Sequence, residues 1–249
     1  MVRMREWQVG DPVGDGNDIG VPDTKYMSYL KNKEENTSYS NNIAKSKKYK
    51  DEAWDLKVKH KIMAAESLID EAIRLNPNDY DNWNVKGLIL WQKFEEIYDK
   101  NSYYTANQAY ICFNKALEIK PSDNILKENK MLFLYDWADA LYDDYHMSES
   151  IERIDEYLSL TNKNSYEYAR GVNLKGCALN GIGNYTEALK CFNKALEISP
   201  DNEAFQINQR KLHILVEEKR VKSKSPLGKE DIEYLANLKE MYDEIDNKF

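Results

Sequence analysis

The sequence predicts an all-α fold of antiparallel helix pairs stacked side by side, and three observations carry that expectation. The octapeptide Cys-Phe-Asn-Lys-Ala-Leu-Glu-Ile occurs at 112–119 and again, identically, at 191–198, and internal repetition on this scale marks a repeat architecture. Each copy has a helical period: Ala188, Phe192, Ala195 and Leu196 fall at i, i+4, i+7 and i+8, on one stripe. Ten Gly and six Pro in 249 residues are few for a turn-rich β fold.

From the N-terminus, residues 1–42 read as a non-helical Gly/Asp-rich segment followed by a linker. Val9 to Gly20 holds too many Gly, Asp and Pro residues for a helix, and 31–42 is polar throughout. Asp15, Asn17 and Gly20 have some of the spacing of a calcium loop. Ile19, however, takes a ligand position and Tyr26 stands where the closing Glu belongs. A loop packed on the first helices, or disorder, is the plainer reading. The helical repeat domain is expected over 43–224. Its first pair runs from about Ser46 to Pro77, with Ile69, Ala72 and Leu75 on the second half. No Gly, Pro or Asn marks a turn at 59–62, so this stretch reads as one long helix or as two.

The second pair places Asn84-Val85-Lys86-Gly87 upstream of the first octapeptide, with Ala109 three residues before it and Pro121 two beyond. The fourth pair repeats the plan with Asn173-Leu174-Lys175-Gly176, Ala188 and Pro200, and with a turn at Gly181 to Asn184. Alanine lets a neighbouring helix approach, and phenylalanine fills the gap between them. Proline then ends the helix, and the Asp or Asn just beyond it suits the cap of the next one. Pro121 and Pro200 stand more than two repeats apart, so a degenerate third pair is expected at roughly 124–162. Its helices would cover Leu126–Tyr142 and Ser148–Leu160, without the small residues or the proline. Residues 225–249 begin with Ser225-Pro226, a helix start, and put Ile232, Leu235, Leu238, Tyr242 and Ile245 on one stripe. That helix would cap the exposed face of the last repeat, a need of every solenoid, or fill the groove of a neighbouring molecule.

The segment 169–202 resembles a tetratricopeptide repeat. That family's 34-residue pattern has a large apolar residue, a small residue, two further small residues, an aromatic and a proline. Here those are Val172, Gly176, Ala188, Ala195, Phe192 and Pro200. Trp83, Gly87, Ala109, Phe113, Ala116 and Pro121 match the same pattern, with ten extra residues between Gly87 and Ala109. The resemblance implies a right-handed α-solenoid whose first helices line a concave groove. It puts Asp81, Asn84, Val85, Leu88, Trp91 and Gln92 into that groove from the second pair. The fourth pair would add Arg170, Asn173, Leu174, Cys177, Asn180 and Gly181. Lys47, Lys50, Asp51, Trp54, Glu128, Asn129, Leu132 and Asn208 would join them from the other pairs. Some family members clamp a partner's C-terminal carboxylate with a Lys and an Asn one helical turn apart. Lys50 could be that lysine, but Trp54 stands where the Asn belongs, so that partner is not expected.

What recurs is asparagine: Asn84, Asn129, Asn173 and Asn208. A carboxamide donates and accepts together, so a row of them could pair with both backbone groups of an extended peptide. Trp54 and Trp91 would be apolar anchors beside it, with Arg170 on the same wall. The competing reading is that these asparagines are solvated surface. The ten extra residues would lengthen two helices by about five residues each, roughly 7 Å. They carry Phe94, Ile97, Tyr98, Tyr103 and Tyr104, and the third pair adds Trp137, Tyr142 and Tyr145. These side chains either extend the core or leave an aromatic edge open to a protein partner. Asp136, Asp139, Asp143, Asp144, Glu149, Glu152, Asp155 and Glu156 cluster beside them, which would favour a basic partner in a salt-dependent way.

The net charge of −8 argues against nucleic acid, whose phosphates require clustered Lys and Arg. No apolar run approaches the roughly 20 residues of a membrane helix, and no secretory signal is evident. Three well-separated cysteines suit a reducing compartment, with the cytoplasm as the default. His60, His146 and His213 lie in different repeats, and Cys112, Cys177 and Cys191 fall on helix-packing stripes. No metal site, cofactor or catalytic set is expected. The sequence therefore points to a non-catalytic scaffold or adaptor that binds a protein or peptide segment in its groove. The alternative is a structural homo-oligomer built through the lengthened aromatic helices or the C-terminal helix.

Overall fold

The computed structural model describes residues 24–97, 102–224 and 226–246. Ten helices fill these residues: α1 (Thr24–Val58), α2 (Ile62–Leu75), α3 (Tyr80–Glu96), α4 (Ser102–Ile119), α5 (Asn124–Asp143), α6 (Met147–Leu160), α7 (Tyr166–Gly181), α8 (Tyr185–Ile198), α9 (Glu203–Lys222) and α10 (Lys229–Asp246). Among the described residues there is no strand. The chain is an all-α solenoid of antiparallel helix pairs. Asp79, Asp123 and Asn202, each two residues past a proline, accept backbone N–H bonds from the first turns of α3, α5 and α9, as the sequence led us to expect.

The stretch 46–75 is two helices. His60 takes φ +56, and the Lys61 N–H donates to the Leu56 carbonyl at 2.9 Å. The same closure recurs at Tyr145 (φ +64), where His146 N–H reaches Leu141 O, and at Gly183 (φ +80), where Asn184 N–H reaches Leu179 O. This is the six-to-one bond of a Schellman turn. Three pair-internal turns thus share one backbone geometry, and only one of them uses glycine.

The polar stretch 31–42, expected as a linker, is helical, and α1 begins at Thr24. Extending a helix already anchored by packing costs no new nucleus. Lys31 and Glu35 lie one turn apart on it, and the Thr37 hydroxyl donates to Lys33 O. The Gly/Asp-rich stretch before it, with the calcium-loop spacing at 15–20, lies outside the described residues.

Packing follows the small–large alternation. A Cβ on Gly87 would lie 2.8 Å from the Phe113 ring, and one on Gly176 would lie 2.6 Å from Phe192, so each ring occupies the space its glycine leaves. The degenerate third pair solves the same problem with different residues. Ser150, buried, donates to the Ala138 carbonyl at 2.7 Å. Tyr157 lies against Gly171 of the next repeat and donates its hydroxyl to Glu167 O at 2.8 Å. Phe94, Phe113, Phe133, Trp137 and Leu141 form one buried cluster with Tyr103 and Trp91 against it. The lengthened helices therefore mostly extend the core, while Tyr104, Tyr145 and Ile97 stay exposed. Tyr98 lies outside the described residues.

Candidate binding groove

The odd-numbered helices touch in series, α1 to α3, α3 to α5, α5 to α7 and α7 to α9. Among the described residues the even-numbered helices α2, α4, α6 and α8 make no such contacts with one another. A stack that is close on one side and splayed on the other is curved, and the odd-numbered helices line its inner face. This is the groove implied for the first helix of each pair.

Its floor is knit by side chains that equivalent positions place together. Asn129 Nδ2 donates to Asn84 Oδ1 at 3.0 Å, joining α5 to α3. Asn208 Nδ2 donates to Asn173 Oδ1 at 3.1 Å and lies 3.4 Å from Cys177 Sγ, joining α9 to α7. The four asparagines are brought together as two pairs rather than as four separate surface groups. The Asn129–Asn84 bond uses one donor and one acceptor, while Asn208 spends both its N–H groups, on Asn173 Oδ1 and Cys177 Sγ, so the spare donors of the second pair lie on Asn173. Asn84 is buried and the other three are half-buried. Between the pairs, the Arg170 guanidinium lies 4.2 Å from the Tyr135 ring centroid, a cation–π contact across α7 and α5.

The tryptophans differ from each other. Trp54 is 43% exposed, with the Lys57 ammonium 5.2 Å from its ring. Trp91 packs edge-on to Phe133 at 6.1 Å as part of the core, and its indole nitrogen is buried without a hydrogen bond of good geometry. Val85 and Leu174, placed in the groove by the family pattern, turn into the core instead. Lys50 is engaged by Asp81 across α1 and α3. That pairing leaves the lysine ill placed to clamp a carboxylate.

Part of the acidic cluster expected from the sequence is partly buried, and Glu95, which the sequence reading did not single out, lies beside it. Glu95 on α3 and Asp136 and Asp139 on α5 all have their carboxyl pKa raised, in each case chiefly by burial. Asp136 is pushed up to about 6, with Glu95 and Asp139 adding like charge. Among the described residues none of these three, nor Asp143, forms an ion pair, although Arg170 and Lys57 exert some attraction. A signal existed in the i, i+3, i+7 spacing of Asp136, Asp139 and Asp143, which puts them on one helix face. Burial raises all three cysteine thiols, Cys112 and Cys177 to about 12, so they are protonated at neutral pH and poorly nucleophilic. Among the described residues no cluster of three His, Cys, Asp or Glu side chains could hold a metal. No helix there is long and apolar enough to cross a membrane.

A profile of the tetratricopeptide repeat matches residues 169–202. No curated protein sequence matches the chain. Among solved structures it is similar to MamA from Desulfovibrio magneticus RS-1, with 15% identity over 82% of this chain and 96% of that one and a TM-score of 0.47. It is also similar to YrrB, described as a TPR protein with an unusual peptide-binding site, with 16% identity over 85% and 98% of the two chains and a TM-score of 0.48. For the TPR2AB-domain:pHSP90 complex of yeast Sti1 the values are 15%, 81%, 96% and 0.34.

Proposed function

This chain is a tetratricopeptide-repeat protein, and from that premise we propose that it is a non-catalytic interaction scaffold. An extended segment of another protein lies in the groove lined by α3, α5, α7 and α9. The observation that carries this reading is the pair of asparagine couples. Their mutual hydrogen bonds hold two carboxamides in fixed orientation on successive inner helices, each couple with donor and acceptor capacity left for a peptide backbone. The partly desolvated carboxylates Glu95, Asp136 and Asp139 favour a segment carrying Lys or Arg. Trp54 and Arg170 flank the path. The cytoplasm is the proposed site of action, consistent with three protonated, unbonded thiols.

The test is peptide capture from a display library by wild type and by Asn84→Ala with Asn173→Ala. Loss of at least tenfold in captured affinity, steeper for basic peptides at low salt, is expected. Unchanged capture would overturn the reading. A second reading, self-assembly, has one observation in its favour: α10 leaves Met241 (52%) and Tyr234 (43%) exposed on one flank and Ile232 (59%), expected on the packed stripe, exposed on the other. Light scattering behind size-exclusion chromatography decides it, since a concentration-independent monomer removes stable self-assembly.

A further inference from the structure

The last helix is held differently from the others. α10 runs back along α9 and is tied at both ends. At its start Asp231 pairs with Lys224 at 2.7 Å and accepts the Gly228 N–H at 3.1 Å. At its far end Asp246 pairs with Lys211, whose ammonium lies 5.4 Å from the Tyr242 ring. Between the ties the contact with α9 is sparser than that inside each antiparallel pair. Leu238 is the one buried residue among those described in α10, and Ile232 and Tyr242, expected on the same stripe, stay exposed.

The side of α10 that carries Leu238 and Tyr242 looks onto the inner face. With Cys177 of α7, Asn208 of α9 and Tyr142 of α5 it bounds a space of about 820 Å³. That space is half open and rimmed by charged groups, Lys211, Lys239 and Asp243 among them. α10 therefore bridges the C-terminal end of the groove without filling it. A segment within a longer chain cannot pass under a helix tied at both ends, so it reaches the Asn173–Asn208 couple only when a tie comes undone. The far tie is weak, because Lys211 and Asp246 are both partly exposed and such pairs contribute little. An element with so little buried apolar contact opens locally, well below the cost of global unfolding.

We propose that α10 is an autoinhibitory strap, which covers the C-terminal asparagine couple in the free chain and swings away when a segment binds. The proposal rests on the groove reading for what is gated, and the movement of the strap is measurable without any partner. A segment that binds only the open form loses affinity in proportion to the fraction of chains that are open, so a looser strap means tighter binding.

Cys177 lies under the strap, and its labelling by N-ethylmaleimide in the full chain, located by peptide mass spectrometry, reports opening. Cys112, buried in the core of α3 and α4, reports global unfolding. Leu238→Ala and, separately, Lys211→Glu should each label Cys177 about fivefold faster with Cys112 unchanged. Adding Asp246→Lys to Lys211→Glu should restore the slow rate. In the display-library assay Leu238→Ala, which alters no charge, should hold captured peptides about fivefold more tightly than wild type. An unchanged Cys177 rate overturns the strap, as does a Cys112 rate that rises in parallel. A faster Cys177 rate with capture unchanged or weakened overturns it too. Capture indifferent to Asn84→Ala with Asn173→Ala sinks the groove reading instead, and the labelling then still decides whether α10 covers Cys177.

Discussion

Replacing Tyr145 with glycine should stabilise this protein, although it deletes a large side chain. Tyr145 joins α5 to α6 in the left-handed region at φ +64. Its own N–H reaches Tyr142 O at 3.0 Å, and the next N–H reaches Leu141 O at 2.8 Å. The side chain is 84% exposed, so little packing is lost with it. An L-residue in this conformation costs roughly 1–2 kcal/mol. Glycine removes that cost but widens the unfolded ensemble by about 0.4–1 kcal/mol. The net gain is about 0.5–1 kcal/mol, a rise in Tm of about 1–4 °C for a chain of this size. Gly183→Ala is the converse. Its Cβ would meet only the Tyr185 hydroxyl, at 3.8 Å, so its loss of about 1 kcal/mol comes from the backbone. Circular dichroism melts and urea titrations of the full chain measure both. A lower Tm for Tyr145→Gly, or an unchanged one for Gly183→Ala, would refute the assignment of strain to these turns. His60→Gly should gain less, because His60 also meets Glu96 at 2.5 Å and Gln92 at 3.0 Å.

Gly176→Ala should destabilise by about 2–3 kcal/mol, since its Cβ falls 2.6 Å from the Phe192 ring; adding Phe192→Leu should recover part of that in the same urea titration. Asp136→Asn should stabilise at pH 8 by about 1–2 kcal/mol and be neutral near pH 3. The folded pKa of about 6 lies above the unfolded value of 3.8, so the folded state binds more protons and wild-type stability falls as pH rises through that window. Urea titrations at several pH values check the sign, and a variant effect that grows toward acid would refute it. Glu156→Ala should cost about 3 kcal/mol. It strips the partner 2.5 Å from the buried Lys130 ammonium and the acceptor of the Tyr110 hydroxyl; adding Lys130→Met should restore most of the loss.

The sequence disclosed the repeat because packing wrote it twice. Gly87 under Phe113 and Gly176 under Phe192 are steric pairs at fixed spacing, visible as letters. The break after Val58 was not visible, because its left-handed residue is His60 and the geometry lies in the backbone, not in a glycine. Helix at 24–42 was missed for a related reason. A polar segment carries no periodic signal, yet it continues an anchored helix at little cost. The asparagines were legible as a recurrence, but their mutual bonding was not. Stacking sets equivalent positions of neighbouring repeats side by side, so recurrence at the inner face could have been taken as a sign of contact. Val85 and Leu174 show the limit of a family pattern, since each packs against its neighbours in the core although the pattern assigns it to the groove. The α10 cavity depends on how the last helix lies across two others, and no local spacing encodes that.

The inner row of helices is fastened unevenly. Carboxamide bonds join α3 to α5 and α7 to α9, whereas α5 and α7 meet through Arg170 on the face of Tyr135 and through Leu174 packed with Leu134 and Ala138. A guanidinium can slide over a ring at small cost, but a linear hydrogen bond tolerates little shear. Behind that joint, Tyr157 pins α6 to α7 by its hydroxyl and by its ring against Gly171. With Leu174 of α7 packed among Leu134 and Ala138 of α5, the middle joint is held by area of contact where its neighbours add bond direction, so substitutions that shrink a side chain should be felt there more than substitutions that remove a polar group.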